Sequence, residues 1–332
     1  MRSKLASLIV VAIFCLLTSA NAEVQSYQAP LVKESLLLDI AKSGDRLIAV
    51  GERGHILLSD DGVTWEQVRT PSLATLTAVY FVGPHGWAVG HDASILKSQD
   101  RGTSWQLQHF EPELERPFLD VIFFDQKNGI AIGAYGVFYR TTDGGLNWKS
   151  EMHPEFLSLD DQAYLQEIKL EDEAFYVQEL SSILPHLNSV SGSTERLYLA
   201  GEAGLLASSD DQGLTWQRME INYFGSFFDV AKTASGRIFA AGLRGNLFEY
   251  DEPIQQWNKL ETGSKSSLNS VISLENETSM VVGNNGAMVT ISAESSSFKQ
   301  SADGKAIIGG LMHGGQLLFV TGVGIKHFQM EP

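Results

Sequence analysis

The chain has 332 residues, 43% of them hydrophobic, and a formal net charge of −16 at pH 7. This length is sufficient for two ordinary domains or for one large all-β domain. The acidic balance argues against binding nucleic acid or an anionic membrane surface through net charge, so nucleic acid is not an expected partner.

The first 22 residues have the pattern of a secretory signal peptide. Arg2 and Lys4 form a basic start, an apolar run extends from Leu5 to Leu17, and small residues precede a cleavage site after Ala22. We therefore expect a periplasmic or secreted protein with no direct membrane insertion after cleavage. The alternative is an uncleaved N-terminal membrane anchor, although the run is shorter than the roughly 20 residues that span a bilayer. The mature chain would lack Cys15, the single cysteine, and would form no disulfide.

A phrase made of a small or β-branched pair, Gly-x-x-Gly and an apolar run recurs along the rest of the chain. Its first glycines are Gly51, Gly90, Gly133, Gly201, Gly242, Gly283 and Gly322. Most copies stand about 40 residues apart, and several short strands per repeat at this period are typical of propeller blades. We predict an all-β, seven-bladed β-propeller with four-stranded blades, as a single domain over residues 23–332.

Within each blade, the four strands A to D can be placed by these phrases. Strand A, such as LNSV at Leu187, lines the central channel, and strand B ends at the first glycine. The Gly-x-x-Gly segment is the hairpin between strands B and C, where we expect glycine to supply a positive φ.

A second phrase occurs four times, as SDDGVTW, SQDRGTSW, TTDGGLNW and SDDQGLTW. We place it at the turn between strands C and D, where the aspartate bonds amides of its own turn and the tryptophan fills the space between sheets. The residues to which we assign this structural role are Asp60, Trp65, Asp100, Trp105, Asp143, Trp148, Asp211 and Trp216.

The last repeat lacks a strand D. Residues Val24 to Pro30 resemble the other D strands. We therefore predict that this N-terminal strand pairs with the last blade and closes the ring, which hides exposed sheet edges.

One repeat step, from Gly133 to Gly201, is 68 residues long and marks an insertion at about residues 155–184. Its pattern predicts a helical insertion between blades 3 and 4, on the face that carries the Gly-x-x-Gly hairpins. The insertion is strongly acidic, so it could dock a basic partner; alternatively, it packs on the propeller as a lid with its acids solvated. The candidate aromatic anchors are Phe156, Tyr164, Phe175 and Tyr176.

The tips of the B–C hairpins form a polar ring of mixed charge on the same face. Such a ring could bind a peptide or a small ligand, although every propeller has loop tips. The candidate binding residues are Glu52, Arg53, His91, Asp92, Tyr135, Glu202, Arg244, Asn284 and Asn285.

The sequence contains no convincing catalytic, metal or cofactor site. It lacks HExxH and GxSxG phrases, and GRIFA at Gly236 lacks the proline of the sialidase RIP phrase. The acidic pair at Asp60 lacks the spaced carboxylates of a calcium loop. We therefore predict no catalytic residue, no metal, no cofactor and no enzyme activity.

The combination of SxDxGxTW phrases, known as BNR or Asp-box repeats, with AVGxxG phrases resembles the photosystem II stability/assembly factor-like family of seven-bladed propellers. The resemblance covers nearly the whole mature chain. It implies a non-catalytic assembly factor for a membrane complex, and in non-photosynthetic bacteria it implies an accessory protein of exporters of the resistance-nodulation-division (RND) family.

Our functional hypothesis is therefore a non-catalytic periplasmic propeller that binds a membrane protein complex, with an RND-family exporter as the candidate partner. The alternative is a glycan-binding or sialidase-like Asp-box propeller.

Overall fold

The computed structural model describes residues 25–274 and 277–329. The predicted signal peptide at residues 1–22 and its cleavage site lie outside these ranges. The described chain forms seven antiparallel sheets, and in each the strands follow chain order from the channel outwards.

The first three blades precede the helical insertion. Blade 1 contains β1 (Leu37–Ser43), β2 (Arg46–Gly51), β3 (Ile56–Ser59) and β4 (Glu66–Val68). Blade 2 contains β5 (Leu76–Val82), β6 (His85–Gly90), β7 (Ile95–Ser98) and β8 (Gln106–His109). Blade 3 contains β9 (Phe118–Phe123), β10 (Gly129–Gly133), β11 (Phe138–Thr141) and β12 (Lys149–Ser150).

Two helices, α1 (Leu159–Glu171) and α2 (Glu173–Ile183), lie between blades 3 and 4, which confirms the predicted helical insertion. Blade 4 contains β13 (Leu187–Gly192), β14 (Leu197–Gly201), β15 (Leu206–Ser209) and β16 (Gln217–Arg218). Blade 5 contains β17 (Phe227–Lys232), β18 (Ile238–Gly242), β19 (Leu247–Asp251) and β20 (Gln256–Leu260).

Blade 6 contains β21 (Leu268–Ser273), β22 (Ser279–Gly283), β23 (Ala287–Ile291) and β24 (Ser296–Gln300). Blade 7 contains β25 (Ile307–His313), β26 (Gln316–Thr321) and β27 (Gly324–Phe328). Strand β25 contacts β1, so the seven blades form a closed ring. The predicted seven-bladed propeller is confirmed.

The apolar core of the described residues is divided among the interfaces between neighbouring blades. The B strands are buried along nearly their whole length because each lies between two neighbouring sheets. At the interface of blades 7 and 1, Leu318 and Val320 pack with Leu47 and Ala49. Ring closure therefore depends on the burial of apolar side chains between the first and last blades.

The N-terminal segment does not supply the missing strand of blade 7, so this part of the prediction is wrong. Residues 25–29 form no strand, and the predicted first residue, Val24, lies outside the described residues. The segment follows β4 of blade 1 instead, where Ser26 N donates to Thr70 O at 2.8 Å. The side chain of Gln67 donates to Tyr27 O at 2.9 Å and accepts from Ala29 N at 2.8 Å. Polar backbone groups of the segment thus find hydrogen-bond partners on blade 1 without forming a sheet ladder.

In blades 1 to 6, the first glycine of the phrase acts through close backbone approach rather than through a positive φ. Gly51 has an extended φ of −174°, and the left-handed residues of its hairpin are Arg53 and Gly54. A Cβ atom on Gly51 would lie 2.1 Å from Leu36 O, the carbonyl of the residue just before β1. Glu52 N donates to that same carbonyl at 3.1 Å. The absence of a side chain thus lets the B–C hairpin bond to the crossover, which is the segment that leads into strand A of the same blade.

Aspartates join alternate blades around the central channel. Asp39, Asp120 and Asp229 follow a bulge near the start of β1, β9 and β17, and the Oδ2 atom of each accepts a backbone N–H from the next blade. The donors are Val79, Val190 and Val271, each at 2.8 Å.

The junctions in between use a neutral side chain one position earlier. Thr77, Asn188 and Asn269 each donate to a carbonyl of the next blade. The acceptors are Phe118 O at 2.9 Å, Phe227 O at 2.7 Å and Ile307 O at 2.9 Å. Together with the aspartates, these residues connect every pair of consecutive blades from 1 to 7.

The glycine contact predicts a sharp difference between two chemically identical substitutions. In Gly90→Ala, the new Cβ would lie 2.0 Å from Thr75 O, whereas a Cβ at Gly322 would have no neighbour within 4 Å. Gly90→Ala should lower the free energy of unfolding by about 3 kcal/mol, and Gly322→Ala by less than about 1 kcal/mol. Urea unfolding followed by circular dichroism measures both, and equal losses would contradict the assigned role of the contact.

The channel aspartates predict a stability that falls as the pH rises. Burial in the channel raises the pKa of Asp39 to about 6 and that of Asp120 to about 8, above the ordinary value of 3.8 for an aspartate. Between pH 5 and 8 the folded chain therefore retains protons that the unfolded chain releases, so folding weakens with pH. We expect the melting temperature to fall over this range.

The variant Asp120→Asn tests the source of this slope, because asparagine keeps the shape of the side chain but does not titrate. Its melting temperature should fall less steeply between pH 5 and 8 than that of the unmodified chain. Asp143→Asn, in an exposed turn where hydrogen bonds lower the pKa, should leave the slope unchanged. An unchanged slope in Asp120→Asn would contradict the assignment.

Candidate functional site

The Gly-x-x-Gly hairpin of blade 3 lies directly against the end of the helical insertion. Gly136 N donates to Pro185 O at 2.8 Å, and the Tyr135 ring meets His186 edge-on with 4.3 Å between ring centroids. The insertion and the hairpin tips therefore share one face of the propeller, as the sequence predicted.

The two helices begin at side-chain caps that the acidic sequence supplies. Ser158 Oγ accepts from Asp161 N at 3.1 Å before α1, and Asp172 Oδ1 accepts from Phe175 N at 3.0 Å before α2. Asp172 also terminates α1. One residue thus ends one helix and caps the next, which produces a compact helical hairpin.

The inner side of this helical hairpin is part of the core between blades 3 and 4. Leu165 and Leu180 are buried there together with Trp216. Phe156 is only 1% exposed, and its carbonyl accepts from Arg218 Nη1 at 2.6 Å. The prediction of Phe156 as a docking anchor is therefore wrong, because its ring is needed in the core.

The solvent-exposed surface of the helical hairpin carries apolar side chains among acidic ones. Tyr164, Phe175 and Val177 are 47%, 45% and 43% exposed. Tyr176 is only partly exposed, because it packs against the core and Lys169 Nζ lies 4.9 Å from its ring centroid. We define the solvent-exposed surface of α1 and α2, which includes these three side chains and the exposed Leu159 and Leu170, as the insertion surface. The acidic residues of the two helices are Asp160, Asp161, Glu167, Glu171, Glu173 and Glu179.

Several of the predicted hairpin-tip residues bond within their own blade. Glu52 Oε1 accepts from Leu36 N at 3.2 Å, and Glu202 Oε2 accepts from His186 N at 3.3 Å. Both carboxylates hold the crossover that enters the blade, so they stabilise the face rather than present a charge to a ligand.

The remaining tip residues are distributed around the ring. Arg53 donates to Tyr27 Oη at 2.8 Å, and the Asn284 and Asn285 amides bond to Asn269 and Ser266, each at 3.1 Å. His91 and Arg244 are exposed at the tips of blades 2 and 5. The structure brings Tyr135 to the insertion but does not gather the other predicted residues into one cluster.

A cleft of about 800 Å³ opens between blades 1 and 2, and it contains one predicted binding residue, Asp92, together with the Asp-box residue Trp105. Its walls include the exposed apolar side chains Leu73, Leu107 and Phe110. Sequence reasoning missed this cleft, because the three side chains come from a crossover and an outer strand that have no shared phrase.

The Asp-box turns lie at the other end of the blades, beside the A–B hairpins. Arg101, in the turn of blade 2, donates to Ser43 O at 2.7 Å. Asp100 Oδ1 accepts from Ser104 N at 2.9 Å, and Asp143 Oδ1 accepts from Asn147 N at 2.9 Å. These carboxylates bond within their turns, as expected of a structural role.

The turn aspartate of the first Asp-box is Asp61 and not Asp60, which corrects the prediction. Asp61 Oδ1 accepts from Thr64 N at 2.7 Å, and these backbone bonds hold its pKa well below the usual range. Asp60 instead pairs with Arg46 at 2.7 Å. The first box is one residue shorter than the others between its aspartates and tryptophan, so the alignment of the two adjacent aspartates was ambiguous.

No group of three or more potential metal ligands occurs within residues 25–274 and 277–329. In the same part of the chain, no helix has the length and apolarity that crossing a bilayer requires.

Comparison with known proteins gives a consistent set of relatives. The chain is 27% identical over 200 residues to photosystem II assembly protein Ycf48 of Synechococcus sp. (strain JA-2-3B'a(2-13)), which covers 59% of this chain and 52% of that protein. It is 25% identical over 238 residues to photosystem II stability/assembly factor HCF136, chloroplastic, of Arabidopsis thaliana, covering 69% of this chain and 47% of that protein. The matched region thus spans about half the length of these curated relatives. No family model matches the chain.

The fold agrees with these relatives. A solved structure titled "YCF48 bound to D1 peptide" superimposes with a TM-score of 0.67 at 18% identity, over 92% of this chain and 96% of that one. The chain is thus similar in sequence to members of the photosystem II stability/assembly factor-like family and shares their propeller fold. This confirms the family resemblance inferred from the Asp-box and AVGxxG phrases.

Proposed function

We propose that this protein is a non-catalytic accessory factor that binds a membrane protein complex through the insertion surface. The relatives support this proposal because their names describe assembly factors, and one solved relative is described as bound to a D1 peptide. The relatives include lipoproteins and chloroplast proteins, which supports an extracytoplasmic location for this chain.

The observation that carries the proposal is an exposed apolar surface on helices that are packed against the propeller core. The side chains of Tyr164, Phe175 and Val177 are exposed to solvent, while Leu165 and Leu180 fix the same helices to the core between blades 3 and 4. Because the helices are already folded, a partner would not need to order them on binding. Exposed aromatic side chains on such a preformed element are typical anchors of protein interfaces.

The charge of the insertion surface defines the chemistry of the partner. Acidic residues stand on both helices, and the only basic residue of the helices, Lys169, lies over the Tyr176 ring. A basic patch on a membrane protein would be attracted to this surface, and the association rate should fall as salt screens the charges. We further propose an RND-family exporter as the partner, on the strength of the family resemblance.

The test is capture of membrane proteins from a detergent-solubilised envelope fraction with the tagged full chain. Deletion of residues 155–184 is unsuitable because it would remove the buried Leu165 and Leu180 and open the core. The triple variant Tyr164→Ser, Phe175→Ser and Val177→Ser changes the exposed side only. It should capture at least tenfold less of the membrane complex at an unchanged melting temperature.

The matched control places the same serines on the opposite face. The control variant is Val63→Ser, Leu146→Ser and Leu214→Ser, whose side chains are 68%, 69% and 61% exposed in the Asp-box turns. It should capture the complex at the level of the unmodified chain. Loss of capture with the control but not with the triple variant would contradict the proposed docking face.

A further inference from the structure

The outer strand of blade 7 has an open edge. Strand β27 pairs with β26 and with no other described strand, whereas each of the other six sheets has a fourth strand. Thr321 and Gly324 flank a two-residue hairpin loop, and hydrogen-bonded pairs alternate along an antiparallel ladder. Gly324, Lys326 and Phe328 are therefore the residues of β27 whose backbone groups bond to β26. The backbone N–H and C=O groups of Ile325 and His327 therefore point away from the blade.

A hollow lies beside this edge, at the place that an aromatic ring occupies in most other blades. In five blades, a tryptophan at the start of strand D packs into the core shared with the preceding blade. These tryptophans are Trp65, Trp105, Trp148, Trp216 and Trp257. Blade 7 has no strand D, and a hollow of about 310 Å³ remains between blades 6 and 7, with Met288, Phe319 and Phe328 in its walls.

The rim of this hollow is basic although the chain as a whole is strongly acidic. Lys305, Lys326 and His327 line it, together with one carboxylate, Asp303. Lys326 pairs with Asp303, and no ion pair of Lys305 occurs within the described residues. An incoming segment with a carboxylate would thus meet a local excess of positive charge.

We propose that this edge accepts an extended, acidic segment of a partner protein as the fourth strand of blade 7. The segment would bond to the outward groups of Ile325 and His327, insert one large apolar or aromatic side chain into the hollow, and place a carboxylate near Lys305. Strand addition of this kind combines backbone affinity with side-chain specificity. The site is separate from the insertion surface and does not depend on its function.

The described turn Val32–Glu34 contacts β27 at its Gly324 end, but no described segment pairs with the outer edge of β27 as a strand. Residues 25–29, which resemble a strand D in sequence, are bonded to Gln67 and Thr70 of blade 1. Each described strand D is paired within its own blade. A strand from a partner is thus the occupant that matches both the free backbone groups and the basic rim.

The probe for the test is a fluorescently labelled peptide with the sequence of residues 64–70, TWEQVRT. This is the strand D of blade 1, and it carries the required tryptophan and an adjacent carboxylate. Fluorescence anisotropy with the full chain should show saturable binding. Replacing the tryptophan by alanine, or N-methylating alternate backbone nitrogens, should weaken binding at least tenfold.

The matching protein variant is His327→Pro, because this exposed residue directs its N–H outward and proline is tolerated on an edge strand. It should bind the peptide at least tenfold less, while Leu146→Ala on the Asp-box face should bind normally. In the unmodified chain, hydrogen exchange at the amides of Ile325 and His327 should slow when the peptide is added.

Any of three results with the peptide would overturn the proposal. These are the absence of peptide binding at millimolar concentration, equal binding by the N-methylated peptide, and amide protection elsewhere but not in β27. A dimer that becomes a monomer in His327→Pro would show that a second copy occupies the edge, which would also overturn the assignment to a partner.

Discussion

In blades 1 to 6, the close contact between the first glycine and the carbonyl of the incoming crossover determines which parts of this molecule share a face. At Gly133 the distance from a built Cβ to Pro117 O would be 2.1 Å, and Ala134 N donates to the same oxygen at 3.0 Å. The hairpin tip is thereby fixed beside the crossover that enters the blade. Any residues added to a crossover must emerge among the hairpin tips, which is where the helical insertion lies.

The channel hydrogen bonds make the ring a stiff support for that face. Aspartates on blades 1, 3 and 5 alternate with Thr77, Asn188 and Asn269 on blades 2, 4 and 6. The junction of blades 7 and 1 lacks this pattern and depends on apolar packing. A ring of this kind can present exposed aromatic side chains without rearranging, which suits a docking role better than a catalytic one.

Much of the fold followed from the sequence because repetition reveals architecture. The seven glycine phrases predicted the number of blades, and the one long step between Gly133 and Gly201 located the insertion. The missed features depend on three-dimensional neighbours. Phe156 resembles an exposed anchor in the sequence but fills the core against Trp216, and residues 25–29 resemble a strand D but bond to blade 1. A local pattern indicates what a segment can form, while the available partners decide what it forms.

The central claim is that the face with the insertion, and not the face with the Asp-box turns, contacts the partner. Photo-crosslinking in intact cells tests it most directly, with a photoreactive phenylalanine analogue placed at position 175 or at position 146. The account predicts that the probe at Phe175 forms an adduct with an integral membrane protein and that the probe at Leu146 does not. Adducts with a membrane protein from Leu146, and none from Phe175, would contradict it.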